Sequence, residues 1–250
     1  MSGTISSDPS ISTVTHGLTE FGRQQVAAAA KEWYKQLPTG KDVVIISSDF
    51  TRARETAEEV LATLQENGVS VHPPKVILNT SLRERYFGLY NGKSTDHYND
   101  VWVEDAKSAD HTEQEVESVN AVVRRGTKLI CQLENELEEI IAQAEEKEGK
   151  QHTSSSSSSS SFVVCSWLDK LSSFYPFRRS THVTPSSSSS SSSFPSRTVI
   201  LVAHGDVCQI LATAFLNMDS RQHRSLQHWE NGECRQYVWD HTNQTAEIKQ

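Results

Sequence analysis

The chain has 250 residues, a formal net charge of −8 and 36% hydrophobic residues; setting aside its two runs of eight serines and their flanks leaves about 200 for folding, enough for one domain with a real core. Acids and bases are interspersed up to a glutamate-rich stretch around residues 134–148, which argues against nucleic acid or an anionic membrane as the main partner. No apolar run reaches membrane-spanning length, and the opening MSGTISSDPS lacks the basic and apolar regions of a signal peptide, so a cytoplasmic protein is expected.

GLTEFGRQQVAAAAKEWYKQL predicts a helix starting near Thr19, a good N-cap residue, with Val26, Ala30 and Trp33 along one face. DVVIISS (42–48) is β-branched and fully apolar up to its two serines, the pattern of a strand buried on both faces. It runs directly into DFTRARETAEEVLATLQENG, a helix that Asn67-Gly68 closes. KVIL (75–78) reads as a second strand, followed by the aromatic loop SLRERYFGLYNGKS. From Glu113 to about Lys147 a long helix is expected, with Val119, Val123, Ile130, Leu133, Leu137 and Ile140 at helical spacing. The 198–203 strand, a helix from about Val207 to Leu216, and the strand-like CRQYVWD (234–240) complete the pattern.

Strands alternating with helices predict an α/β three-layer sandwich with a mostly parallel sheet and helices on both faces. Ligands of such sheets bind beyond the carboxyl ends of the strands. Ser47, Ser48 and His204 all fall at such ends. Residues 149–196 interrupt the pattern as a Ser-rich insert within one domain spanning 1–250. Polyserine buries nothing and is expected to be disordered. The piece between the runs, FVVCSWLDKLSSFYPFRRSTHVTP, is apolar enough to dock or bind a partner, but a dispensable surface-loop expansion is the simpler expectation. The four cysteines (131, 165, 208, 234) show no CxxC and no metal spacing, and reduced thiols are expected.

Four stretches carry chemistry. In SSDFTRARETA an arginine in the first turn of a helix aims a planar fork at an anion, with the helix dipole in support; Arg52 and Arg54 compete for this role, and the other is a solvated charge. In LRERYFGLYNG, Glu84 sits between two arginines, and aromatic cover would raise its pKa toward that of a general acid; an exposed loop glutamate is the alternative. In VAHGD, His204 ends a strand and Gly205 permits close approach of a ligand. In ESVNAVVRRG, Arg124 and Arg125 lie on the long helix, where one could reach the site or both could be solvated.

In this order the stretches resemble the histidine phosphatase superfamily, in its phosphoglycerate-mutase-like branch, over residues 17 to about 240. The resemblance implies a phosphoric monoester hydrolase working through phosphohistidine on a small phosphorylated metabolite or a phosphoprotein, without metal or cofactor. It assigns Arg52 and Gly205 to phosphate binding, Glu84 to leaving-group protonation and His204 to the second histidine, with Asp206 a weaker candidate acid. The family opens with an apolar strand ending in Arg-His-Gly, whose histidine is the nucleophile. Here THG at 15–17 has no strand before it, threonine in place of arginine, and GLTEFG directly after it, so His16 reads as a loop residue. The chain as written is therefore expected to be N-terminally incomplete, inactive and poorly soluble, with the TVILVA strand open along one side. A catalytically inactive phosphate-binding or interaction protein of the same fold is the alternative.

Overall fold

The computed structural model describes residues 3–37, 42–146, 160–166, 197–229, 233–240 and 245–249. The described elements begin with α1 (Pro9–Ser12), α2 (Glu20–Trp33), β1 (Asp42–Ser47), α3 (Thr51–Glu66), β2 (Ile77–Leu78) and α4 (Tyr98–Lys107). They continue with α5 (Val119–Glu146), β3 (Ser160–Ser166), β4 (Arg197–Ala203), α6 (Gly205–Phe215), β5 (Cys234–Asp240) and β6 (Thr245–Lys249). The strands form one sheet in the order β2-β1-β4-β3-β5-β6. The first four run parallel, and β5 and β6 close one side antiparallel.

Alternate residues of β1 and β4 divide between two cores, as the period of a strand requires. Val44, Ile46, Val199 and Leu201 pack with α5 and α6. Val43, Ile45, Ile200 and Val202 pack with α2 and α3. This is the three-layer sandwich expected from the sequence, and the β-branched run 43–46 is buried on both faces. Thr19 caps α2 through its hydroxyl, which accepts the Gly22 N–H at 3.0 Å. Gly68, at φ +74°, takes the left-handed turn that ends α3. α5 and α6 approach closely at Gly126, where a Cβ would stand 2.2 Å from a Leu211 methyl.

The Ser-rich insert departs from expectation. Its Ser160–Ser166 piece is a strand inside the sheet, with Ser160 to Ser166 registered against Arg197 to Ala203 of β4. The surface-loop reading does not hold for this piece, because an apolar strand gains more by pairing between two open backbones than by exposure. The rest of 149–196, for which disorder was expected, lies outside the described residues. β4 is accordingly paired on both sides, by β1 and β3, and the open edge predicted for TVILVA does not exist. The expectation of four reduced thiols also fails, because Cys234 is disulfide-bonded. The register sets Cys165 directly opposite Cys234.

Smaller differences are local. The long helix starts at Val119 rather than Glu113, because Gln114 and Glu115 take left-handed backbone angles (φ 57° and 63°) that end a single 3₁₀ turn. α4 and β6 had no clear signal in the sequence. Near the amino end, Gly3, Ile5 and Ser7 are strapped onto the 91–95 loop by hydrogen bonds, and Ile5 is buried with Phe87, Val101 and Val116. Among the described residues, no helix is long and apolar enough to cross a membrane.

Candidate active site

Two strand-to-helix junctions meet at one rim of the sheet. β1 ends at Ser47 and leads through Ser48 to α3; β4 ends at Ala203 and leads through His204 to α6. Ser47 is registered with Val202, and the Ser48 N–H donates to the Val202 carbonyl at 3.0 Å. Neither helix start has a side-chain cap: Phe50 and His204 occupy the N-cap positions without one. The amino ends of two long helices thus offer uncapped N–H groups and positive dipole ends at the same place.

Arg52, in the first turn of α3, is buried, and one of its terminal nitrogens donates to the Ser6 carbonyl at 3.2 Å. The same nitrogen stands 4.0 Å from Glu84. Arg54, two residues on, is turned to the surface and pairs with Glu58 at 3.8 Å. Helix geometry puts these two side chains on opposite faces, and packing decides which one points inward. Glu84 is buried, accepts the Arg85 N–H at 3.0 Å, and has its pKa raised from 4.5 to about 7. Burial is the main cause; Asp206 adds to it, while Arg52, the Arg85 N–H and Arg125 oppose it. A carboxyl raised this far holds its proton into the neutral range, which suits a general acid.

His204 is 1% exposed, lies against the Phe50 ring, and contacts the Ser48 hydroxyl through Nε2 at 3.0 Å. Burial, then Arg52 and Arg125, hold its pKa well below the ordinary histidine value, so the ring is neutral. His204 Nδ1 and Thr51 Oγ1 are buried without hydrogen-bond partners among the described residues. Gly205, the first residue of α6, borders a cleft of about 20 Å³ together with Glu84, Tyr98, Trp102, Asp206, Arg224 and His228. That is room for about one water. A larger hollow of about 290 Å³, bordered by Tyr90, Asp100, Glu104 and His111, holds none of Arg52, Glu84 or His204.

The structure therefore brings Arg52, Glu84, His204 and Gly205 to one rim. Arg125 contributes through its charge while its fork holds Glu117 at 2.8 and 3.1 Å and the Ser81 carbonyl at 2.6 Å; Arg124 is exposed. Asp206 accepts from Trp102 Nε1 at 3.1 Å and stands 3.4 Å from Arg85. His16 is exposed, with φ 60°, in the loop before α2. Three participants escaped the sequence reading. Arg85 is buried and grips Asp105 with two bonds of 2.6 and 2.7 Å. Trp102 stacks on Tyr98 with centroids 5.4 Å apart. Arg224 lies 3.6 Å over the Trp102 ring. Of these, only Arg85 carried a usable signal, its place beside Glu84. Among the described residues no cluster of His, Cys, Asp or Glu is arranged to hold a metal ion.

The model of the histidine phosphatase superfamily, branch 1, matches residues 12–143. The chain belongs to this superfamily. The solved structures it resembles have the same fold. "Mycobacterial hydrolase 2" superposes with a TM-score of 0.58 at 20% identity, covering 100% of this chain and 82% of that one. A mycobacterial glucosyl-3-phosphoglycerate phosphatase gives 0.57 at 21% identity, over 99% and 93% of the two chains. The alpha-ribazole phosphatase of Shigella flexneri gives 0.52 at 14% identity, over 99% and 87%. Among curated proteins no sequence matches.

Proposed function

We propose that the protein is a phosphoric monoester hydrolase acting on a small phosphorylated metabolite or a phosphoprotein. One observation carries this reading: a buried arginine, a neutral buried histidine and a carboxyl with a pKa of about 7 converge where two helices begin. A phosphoryl group at that rim would have its oxygens held by the Arg52 fork, by N–H groups at the helix starts, Gly205 included, and by His204. Glu84, protonated, would donate its proton to the leaving oxygen as the ester bond breaks. Phosphatases among the structural relatives support the reaction class.

The family's chemistry also calls for a histidine that accepts the phosphoryl group. Of the chain's histidines, His152, His182 and His241 lie outside the described residues, His16 is exposed in the loop before α2, and His228 borders the cleft with Glu84 and Gly205. The strands beside β4 are β1 and β3, which end at Ser47 and Ser166, neither with Arg-His-Gly. This favours a second reading, a phosphate-binding protein of the same fold without turnover.

The test has two parts. Inorganic phosphate or vanadate should raise the melting temperature by mass action, and Arg52→Ala or His204→Ala should abolish the rise while Arg54→Ala keeps it. Turnover of p-nitrophenyl phosphate above background, with trapped phosphohistidine located by mass spectrometry, supports the hydrolase; binding without turnover supports the second reading. Equal responses from all three variants would sink the site.

A further inference from the structure

His204 and Ser48 are 156 residues apart in the chain and fully buried together. The Ser48 hydroxyl oxygen accepts the Phe50 N–H at 3.2 Å, and its other contact is His204 Nε2 at 3.0 Å. A serine hydroxyl has one proton to give. Among the described residues, the acceptor within its reach is Nε2. If Nε2 carried the hydrogen instead, both the serine proton and the Nδ1 lone pair would be buried without partners, whereas a hydrogen on Nδ1 leaves that one group unsatisfied. Hydrogen-bond satisfaction therefore puts the serine proton on the bond to Nε2 and the ring hydrogen on Nδ1. Nδ1 is the atom left buried without a partner at the rim. A neutral ring in this tautomer is a hydrogen-bond donor with nothing yet to donate to.

We propose that Ser48 is a positioning residue that holds His204 as the Nδ1–H tautomer, so that this N–H is the donor offered to a phosphoryl oxygen. This rests on the rim being the phosphate site. Ser47 provides the internal comparison. It is equally buried, but its hydroxyl donates to the Ser48 carbonyl at 2.9 Å, away from the imidazole.

The experiment is nitrogen-15 NMR of the full chain, reading the tautomer of His204, with titration of inorganic phosphate followed on the same samples. The wild type should show a neutral ring with a protonated Nδ1. Ser48→Ala should lose that single tautomer and bind phosphate about tenfold more weakly, the loss of one hydrogen bond of about 1.4 kcal/mol. Ser48→Thr, which keeps a hydroxyl, should restore both, and Ser47→Ala should change neither. An Nε2–H ring in the wild type, or an unchanged tautomer in Ser48→Ala, overturns the proposal. A merely structural serine would lower the melting temperature of Ser48→Ala and leave the tautomer as it was. Should wild type bind no phosphate while its tautomer follows Ser48, the phosphate site falls and the Ser48–His204 coupling stands.

Discussion

Two arginines are buried beside Glu84, and they are used in opposite ways. Around Arg85, each guanidinium nitrogen is committed: Nε to the Glu117 carbonyl at 2.7 Å, and both terminal nitrogens to Asp105, one of them also near Asp206. Around Arg52, the contacts are one 3.2 Å bond to a backbone carbonyl, the Phe50 ring 5.5 Å away, and a 4.0 Å approach to the Glu84 carboxyl, whose pKa is raised to about 7. Burying a charge without compensation is costly. The Arg85 region meets that cost within the protein. The Arg52 region meets it only in part, with unpartnered atoms on Thr51 and His204 beside it, as a site does when its counter-charge arrives with a ligand.

The contrast can be broken most severely through the sheet that carries both regions. Excising Ser160–Ser166 for a short Gly/Ser linker removes β3 from between β4 and β5 and should abolish the cooperative thermal transition. A melting temperature within a few degrees of the wild type would return this piece to the status of a surface loop. Next in size, Arg85→Ala takes from the buried Asp105 its two-bonded partner, leaving the nearby His111 and His223, and takes a cation from beside Asp206; it should cost about 3–5 kcal/mol, a large part of a typical domain's stability. Arg52→Ala should cost much less, because it removes a charge that is only partly compensated. Denaturant unfolding of the two variants measures the difference directly.

Protonation sharpens the comparison. Glu84 has a folded pKa of about 7 against an ordinary 4.5, so between these values the folded state holds a proton that the unfolded state has released. Stability should therefore fall as pH rises through that window, by on the order of 3 kcal/mol, and level off above about 7. Glu84→Gln should erase the slope. His204 acts with the opposite sign: its folded pKa is depressed, so the stability it contributes is present above about 6.5 and is lost as pH falls toward the lower value. Unfolding free energies of wild type, Glu84→Gln and His204→Gln between pH 4.5 and 8 separate the two. The smallest effect belongs to Arg54→Ala: its exposed pair with Glu58 should be worth less than about 1 kcal/mol, with the phosphate response unchanged.

The sequence by itself determined the pieces whose causes are local. A β-branched run makes 43–46 a strand, an Asn-Gly pair stops the helix that follows, and strand ends abutting helix starts mark Arg52 and His204 as candidates. Glu84 was legible as a candidate acid because its neighbours are aromatic and basic. Tertiary structure decided everything that rests on contacts distant in the chain. Nothing between the two serine runs says that Phe162-Val163-Val164 will pair with β4, since any apolar strand fits any open edge and only the register of the whole sheet selects one. Helix phase says that Arg52 and Arg54 face apart, but only the packed sheet says which is buried. The grip of Arg85 on Asp105, and the contact of Ser48 with His204, span 20 and 156 residues. Such pairings depend on where the backbone has been carried, because hydrogen bonds and ion pairs act over a few ångströms of space and are indifferent to distance along the chain.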